Sequence, residues 1–423
     1  MTALQQREGY LLRLINVGLR GFTLLSKFFL IFILAKYLEP SDLGFYGLIV
    51  ATVAYAMYPL GFDFYTYSTR ELLKRERNEW GKLLKSQVFL HFALYSIFLP
   101  LLALVFYFEL LPWDIVFWFY AILILEHLNQ ELMRLLIALS EQLTATIALF
   151  IRQGSWSIAL AFWMYADADA RNLESILLSW FSGGSIALLI SLYKVKSMDA
   201  GGWSARVNVK WIKRGILIAV PLFLSTLALR GVFTIDRYWF ESLAGLEVLG
   251  AYVLFMGIAA ALISFMDAGI FSFKYPAMIS SFNNNLSDQF RKNTESMMTQ
   301  VMAFLAIYIV VAFSLIGLVL EVVGKDLYIE NIDIFYWLVL VMAIQAVSNI
   351  PHYALYAQGK DSPIIASHLV SLFLFIPVVI FLSTFSSYHA VPAALCVIQS
   401  IIMVWKVACY YKYIPREYRI YNF

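Results

Sequence analysis

The sequence predicts an all-α membrane protein of about twelve transmembrane helices, arranged as two six-helix lobes. Three observations predict it. The chain has 423 residues, 61% of them hydrophobic and only 14% charged, whereas soluble domains average roughly 45–50% apolar and about 25% charged. Apolar runs of about twenty residues, the length that crosses a bilayer, recur from end to end. A short pattern also recurs at an offset of 206, from Gly44 to Gly250, which marks an internal repeat.

The spans fall at about 10–37, 43–66, 86–108, 115–138, 144–165, 174–194, 213–237, 246–272, 296–320, 332–357, 363–384 and 389–411. The first is expected to stay as a span, because it is too long for a cleaved leader and carries internal cations. No gap between spans has the length of a soluble domain, which argues against a separate catalytic module. Glycine-rich phosphate loops, nucleophile elbows and zincin helices are missing. The chain therefore reads as a non-enzyme that needs no cofactor, no metal and no nucleic-acid partner. Cys396 and Cys409 share the last span and make no disulfide framework.

Alternate connections differ in charge. The 68–86 and 194–214 loops and the later connections on the same side carry about twenty Lys and Arg, among them Arg70, Lys82, Lys196, Arg214, Lys274 and Arg291. The opposite connections are short and acidic, and only Lys36, Arg171 and Lys325 are basic there. Such asymmetry predicts a multi-pass protein with both termini in the cytoplasm.

The repeat pairs the second span, which opens Leu43-Gly44-Phe45-Tyr46, with the eighth, which opens Leu249-Gly250-Ala251-Tyr252. Near their ends, Gly61-Phe62-Asp63 answers Asp267-Ala268-Gly269. Six spans separate the copies, so the repeat is parallel. It divides the chain into an N-terminal lobe, 1–200, and a C-terminal lobe, 201–423, with the first span the counterpart of the seventh.

Charges within spans are the functional candidates, since a cation at mid-bilayer costs ~2.5–3.5 kcal/mol even on an insertion scale. Arg13, Arg20 and Lys27 lie at intervals of seven, on one helical stripe. With the helix starting near Gly9, Arg20 is ~16 Å in and Lys27 ~27 Å in; both are expected to line a cavity. Arg13 falls at the cytoplasmic mouth, where it reads equally as an interfacial anchor. In the fourth span Glu126, Gln130 and Arg134 step by four, and Glu131 sits three before Arg134, so pairing within the helix is available. The alternative is a hydrated lumen shared by Arg20, Lys27, Arg134 and Arg152. His127 and Glu131 supply only half of a metal site. Arg230 follows Pro221 in the seventh span, and Asp236 and Arg237 read as a structural pair. Asp63 and Asp267, at equivalent span ends, and Glu126 are candidates for gating or ion coupling. Lys406 reads as a snorkelling side chain.

At Leu38-Glu39-Pro40-Ser41-Asp42-Leu43-Gly44-Phe45-Tyr46 the chain resembles the O-antigen and polysaccharide flippases of the multidrug/oligosaccharidyl-lipid/polysaccharide exporter superfamily. The likeness continues at Thr69-Arg70-Glu71, Asp236-Arg237, Tyr275-Pro276, Gly324-Lys325-Asp326-Leu327-Tyr328 and Ala357-Gln358-Gly359-Lys360. It implies two six-helix lobes around a central cavity, working by alternating access. The implied cargo is an undecaprenyl-diphosphate-linked oligosaccharide, an O-antigen or other surface-polysaccharide repeat unit, moved across the bacterial inner membrane. It also implies a cationic cavity, to which Arg20, Lys27, Arg152 and Arg230 correspond by position and charge. Implied partners are the lipid-linked oligosaccharide, membrane lipid, a polysaccharide polymerase and a chain-length regulator. The alternative is a cation-coupled drug or small-molecule antiporter of the same superfamily, which would place acids where the first span has cations.

Overall fold

The structure is a computed structural model; it describes residues 3–420, and the side chains of Leu12 and of residues 14–420. Among the described residues there is no β-strand. Twelve long helices follow one another: α1 (Ala3–Tyr37), α2 (Pro40–Gly61), α3 (Trp80–Tyr107), α4 (Val116–Ala138), α5 (Gln142–Ala166), α6 (Leu173–Ser197), α7 (Val209–Ala244), α8 (Leu246–Asn283), α9 (Ser287–Val323), α10 (Ile332–Ala357), α11 (Asp361–Ser383) and α12 (Ser387–Tyr413). Eleven of them are both long and apolar enough to cross a membrane. The exception is α4, whose 23 residues suffice in length but whose run from Glu126 to Glu131 is polar. Each expected span is thus found as a helix, and α8 and α9 extend past the limits read from hydropathy.

Two helices change pitch within their length. A π turn occupies Ile151–Ser155 in α5 and another Asp267–Phe271 in α8. Each carries one of the charges singled out above, Arg152 and Asp267. A π turn inserts one residue per turn and leaves the next carbonyls unmatched, so it reorients the side chains on either side. At the place in α2 that corresponds to the α8 turn, the chain breaks instead: Phe62 and Asp63 take φ of 54° and 47°. A short helix, Tyr65–Leu72, then follows. Left-handed backbone at a phenylalanine costs about 1–2 kcal/mol, and the Phe62 ring is held by stacking on Phe223 at 4.2 Å.

The chain forms two compact units, Met1–Leu30 with Leu48–Phe223, and Ile31–Gly47 with Leu224–Phe423. In the first, Phe64, Tyr67 and Trp211 make an aromatic cluster, with Phe64 and Trp211 rings 5.2 Å apart and edge-on. In the second, α8 is the central helix: every residue from Leu249 to Met256 is buried. An all-round apolar helix has no polar face to expose and is covered on all sides. By contrast α3 and α9 leave most of their apolar surface uncovered, as at Phe92 and Val310, which is the arrangement expected where lipid is the solvent.

Candidate functional site

The cations of α1 diverge in surroundings. Arg13's side chain lies outside the described residues. Arg20 is exposed and forms no ion pair among the described residues. Lys27 is exposed too, and its ammonium donates a long hydrogen bond, 3.4 Å, to Oε1 of Gln153 on the π turn of α5.

One residue earlier on that turn, Arg152 points into protein. It is 4% exposed. Its Nε donates to Glu126 Oε2 at 2.9 Å and its Nη2 donates to the same oxygen. The other carboxylate oxygen, Oε1, accepts from Trp180 Nε1 at 2.9 Å. Arg152 and Gln153, adjacent on this π turn, face different neighbours: Arg152 the carboxylate of α4, Gln153 the ammonium of α1. Lys27 remains as the cation that makes no ion pair in this cluster, with Glu126 only within electrostatic reach.

Arg134 is held by Glu131, at 2.7 Å, and lies over the Tyr65 ring, 3.6 Å from its centroid. Glu131 also accepts from Gln87 at 2.9 Å. His127 takes part in a 2.6 Å hydrogen bond with the Tyr95 hydroxyl through Nδ1. Within α4, then, both members of the spaced carboxylate pair are engaged by arginines. Asp63 is buried, with its carbonyl accepting from the Thr66 hydroxyl at 2.8 Å.

The second unit contains a polar cavity of about 500 Å³. Helix α7 contributes Arg230 and Arg237, α8 contributes Asp267, α10 contributes Ser348, His352 and Tyr353, α11 contributes His368, and α12 contributes Gln399 and Lys406. Asp267 accepts a hydrogen bond from the Tyr353 hydroxyl and lies within electrostatic reach of Arg230. Arg237 lines the cavity already paired: Asp236, fully buried, accepts from Arg237 Nη1 at 3.3 Å and from the Tyr252 hydroxyl at 2.6 Å. Arg237 Nη1 also donates to the Phe233 carbonyl. The cavity lining holds three cationic side chains against one carboxylate.

Lys406 differs from its expected place. It does not snorkel; it is 4% exposed and lines the cavity. It stands seven residues before the end of α12, about 10 Å along the axis, on the face that packs against α10 and α11, so its ammonium is enclosed. Hydropathy could not reveal this, because a lysine half a turn around the same helix would point outward with an identical score. The spacing Gln399 to Lys406, two helical turns, is the one trace in the sequence.

No family model matches the chain, and no curated protein does. Among solved structures, it resembles an inward-facing multidrug resistance MATE family transporter of the MOP superfamily (TM-score 0.71, 9% identity, 94% of this chain and 95% of that one). It also resembles the lipid II flippase MurJ in an inward closed conformation (TM-score 0.71, 12% identity, 96% and 89%). A third is a MOP superfamily transporter from Pyrococcus furiosus described as having reversed binding-pocket polarity (TM-score 0.59, 11% identity, 95% and 93%). The fold is that of the MOP superfamily transporters.

Proposed function

We propose that this multi-pass membrane protein is a flippase for undecaprenyl-diphosphate-linked oligosaccharide, the repeat unit of an O-antigen or other surface polysaccharide. It works in the bacterial inner membrane by alternating access, with both termini cytoplasmic. The observation that carries the reading is the charge of the interior. Lys27 is left over from the Arg152–Glu126 pair in one unit, and, with Arg237 set against Asp236, Arg230 and Lys406 outnumber Asp267 in the cavity of the other.

A diphosphate must leave water to cross ~30 Å of hydrocarbon, and guanidinium and ammonium groups are the suited partners for its oxygens. Arg20, Lys27 and Arg230 are the residues assigned to that task. Membrane lipid accommodates the polyprenyl tail. A polymerase and a chain-length regulator are the partners that would act on the delivered repeat unit. Structural kinship supports the cargo class, since one solved structure with this fold is a lipid II flippase.

A cation-coupled antiporter would use an acid with its charge available. Glu126 and Asp236 are committed to arginines, which leaves Asp267 as the one cavity acid. The deciding experiment is a deletion strain assayed for undecaprenyl-linked oligosaccharide on the cytoplasmic face. Retention there supports the flippase. Normal surface glycan with lost drug resistance would instead select the antiporter.

A further inference from the structure

Lys406 is buried without an ion pair or hydrogen bond among the described residues. An ammonium taken out of bulk water costs several kcal/mol unless something compensates it, and three polar atoms of the same lining are also unmatched. Ser348 Oγ, His352 Nδ1 and Gln399 Nε2 are all buried atoms lacking a hydrogen-bond partner. Gln399 is itself only 2% exposed. All of these residues line the same cavity.

What they offer is almost wholly donation. An ammonium has three donors and no acceptor, an amide nitrogen two donors, and a serine hydroxyl one. Their positions follow from helix geometry: Ser348 and His352 are four apart on α10, and Gln399 and Lys406 seven apart on α12, so each pair shares one face. Behind them the His368 ring stacks on His352, centroids 6.2 Å apart and planes 15° off parallel, and His368 Nδ1 is fixed by the Ser225 hydroxyl at 3.0 Å. The acid of the cavity, Asp267, is engaged by Tyr353. The cavity's 500 Å³ is within the range of small-molecule sites, ~300–1,000 Å³.

We infer that Lys406, Gln399, His352 and Ser348 form a binding site for a small oxyanion, a carboxylate or a phosphate, inside the C-terminal unit. The inference goes beyond the flippase reading and does not rest on it. The anion reaches the site either as a free ion or as an acidic group carried on a sugar. Either source presents the same two or three acceptor oxygens to the donors.

The test is thermal melting of the purified full chain in detergent, with sodium phosphate, sodium glucuronate, sodium chloride and glucose compared at matched ionic strength. A saturable rise of about 2 °C or more is expected with an oxyanion and not with chloride or glucose. A larger rise with glucuronate assigns the anion to an acidic sugar; a larger rise with phosphate assigns it to phosphate. Lys406→Met should abolish the rise while melting no lower than the parent protein without ligand, because the uncompensated charge is gone. Lys406→Arg should keep the rise, and Gln399→Leu should weaken apparent affinity at least fivefold. No response to either oxyanion overturns the inference, as does a response that survives Lys406→Met. A ligand-free Lys406→Met protein that melts well below the parent would make the lysine structural and overturn it too.

Discussion

Gly44 and Gly250, the matching glycines of the internal repeat, lie against each other: a Cβ on Gly44 would sit 3.1 Å from the Gly250 amide nitrogen. It would come nearer still to the Leu246 carbonyl oxygen, and a Cβ on Gly250 would press on the backbone of Pro40. The first turns of α2 and α8 therefore meet backbone to backbone, the approach that small residues permit in membranes. Backbone cannot move aside as a side chain can. Gly44→Ala and Gly250→Ala are each expected to cost about 1–3 kcal/mol by overpacking. Gly317→Ala, where a Cβ meets nothing within 4 Å, is the control. Melting temperature and membrane-inserted yield should fall for the first two variants and stay level for the third.

The Arg152–Glu126 pair is nearly sealed, with side chains 5% and 8% exposed. Removing one partner strands a buried charge, at a cost of about 3–5 kcal/mol, while replacing both with apolar residues of similar volume is far milder. Glu126→Leu and Arg152→Met should each lower the melting temperature strongly, and the double variant should recover most of the loss. If the double variant remained as unstable as the singles, the two side chains would not be acting as a pair.

Charge reversal separates the cations of α1. Lys27→Glu or Arg20→Glu, in protein that inserts at normal levels, should block display of surface polysaccharide. Lys27→Arg should preserve it, since a guanidinium serves phosphate at least as well as an ammonium. Full-length surface polymer in both reversal strains would remove these residues from the cargo path.

Lys325 caps the carboxyl end of α1, its ammonium donating to the Leu38 carbonyl. Partial burial holds its pKa below the usual 10.5, while Glu39 and Asp42 pull it back up. The folded state thus releases this proton before the unfolded chain does. Stability should rise as pH climbs from the folded value towards 10.5, because the unfolded chain binds more protons in that window. Lys325→Met is expected to cost about 1 kcal/mol at neutral pH through the lost carbonyl bond and to flatten that alkaline rise in a melting series.

Much of the molecule was legible in one dimension. Twelve helices followed from run length, since a bilayer demands about twenty apolar residues whatever their neighbours. The repeat announced Gly44 and Gly250, although the sequence could not say that the two glycines touch. Charge spacing on α4 made Glu131 and Arg134 partners, because residues three apart on a helix are neighbours without any help from the fold.

Tertiary structure decided which charges are spoken for. Arg152 and Lys27 are both lone cations in apolar runs, yet Arg152 meets Glu126 and Lys27 meets a glutamine amide. Which face of a helix meets which neighbour leaves no mark on composition or hydropathy. Lys406 is the same lesson in reverse: as sequence it is a cation near a helix end, and only the packing of α10, α11 and α12 encloses it beside Gln399. Sequence determines that this chain must spend charge inside a membrane. Where that charge stays unpaired depends on long-range contacts, whose partners lie dozens to more than a hundred residues away.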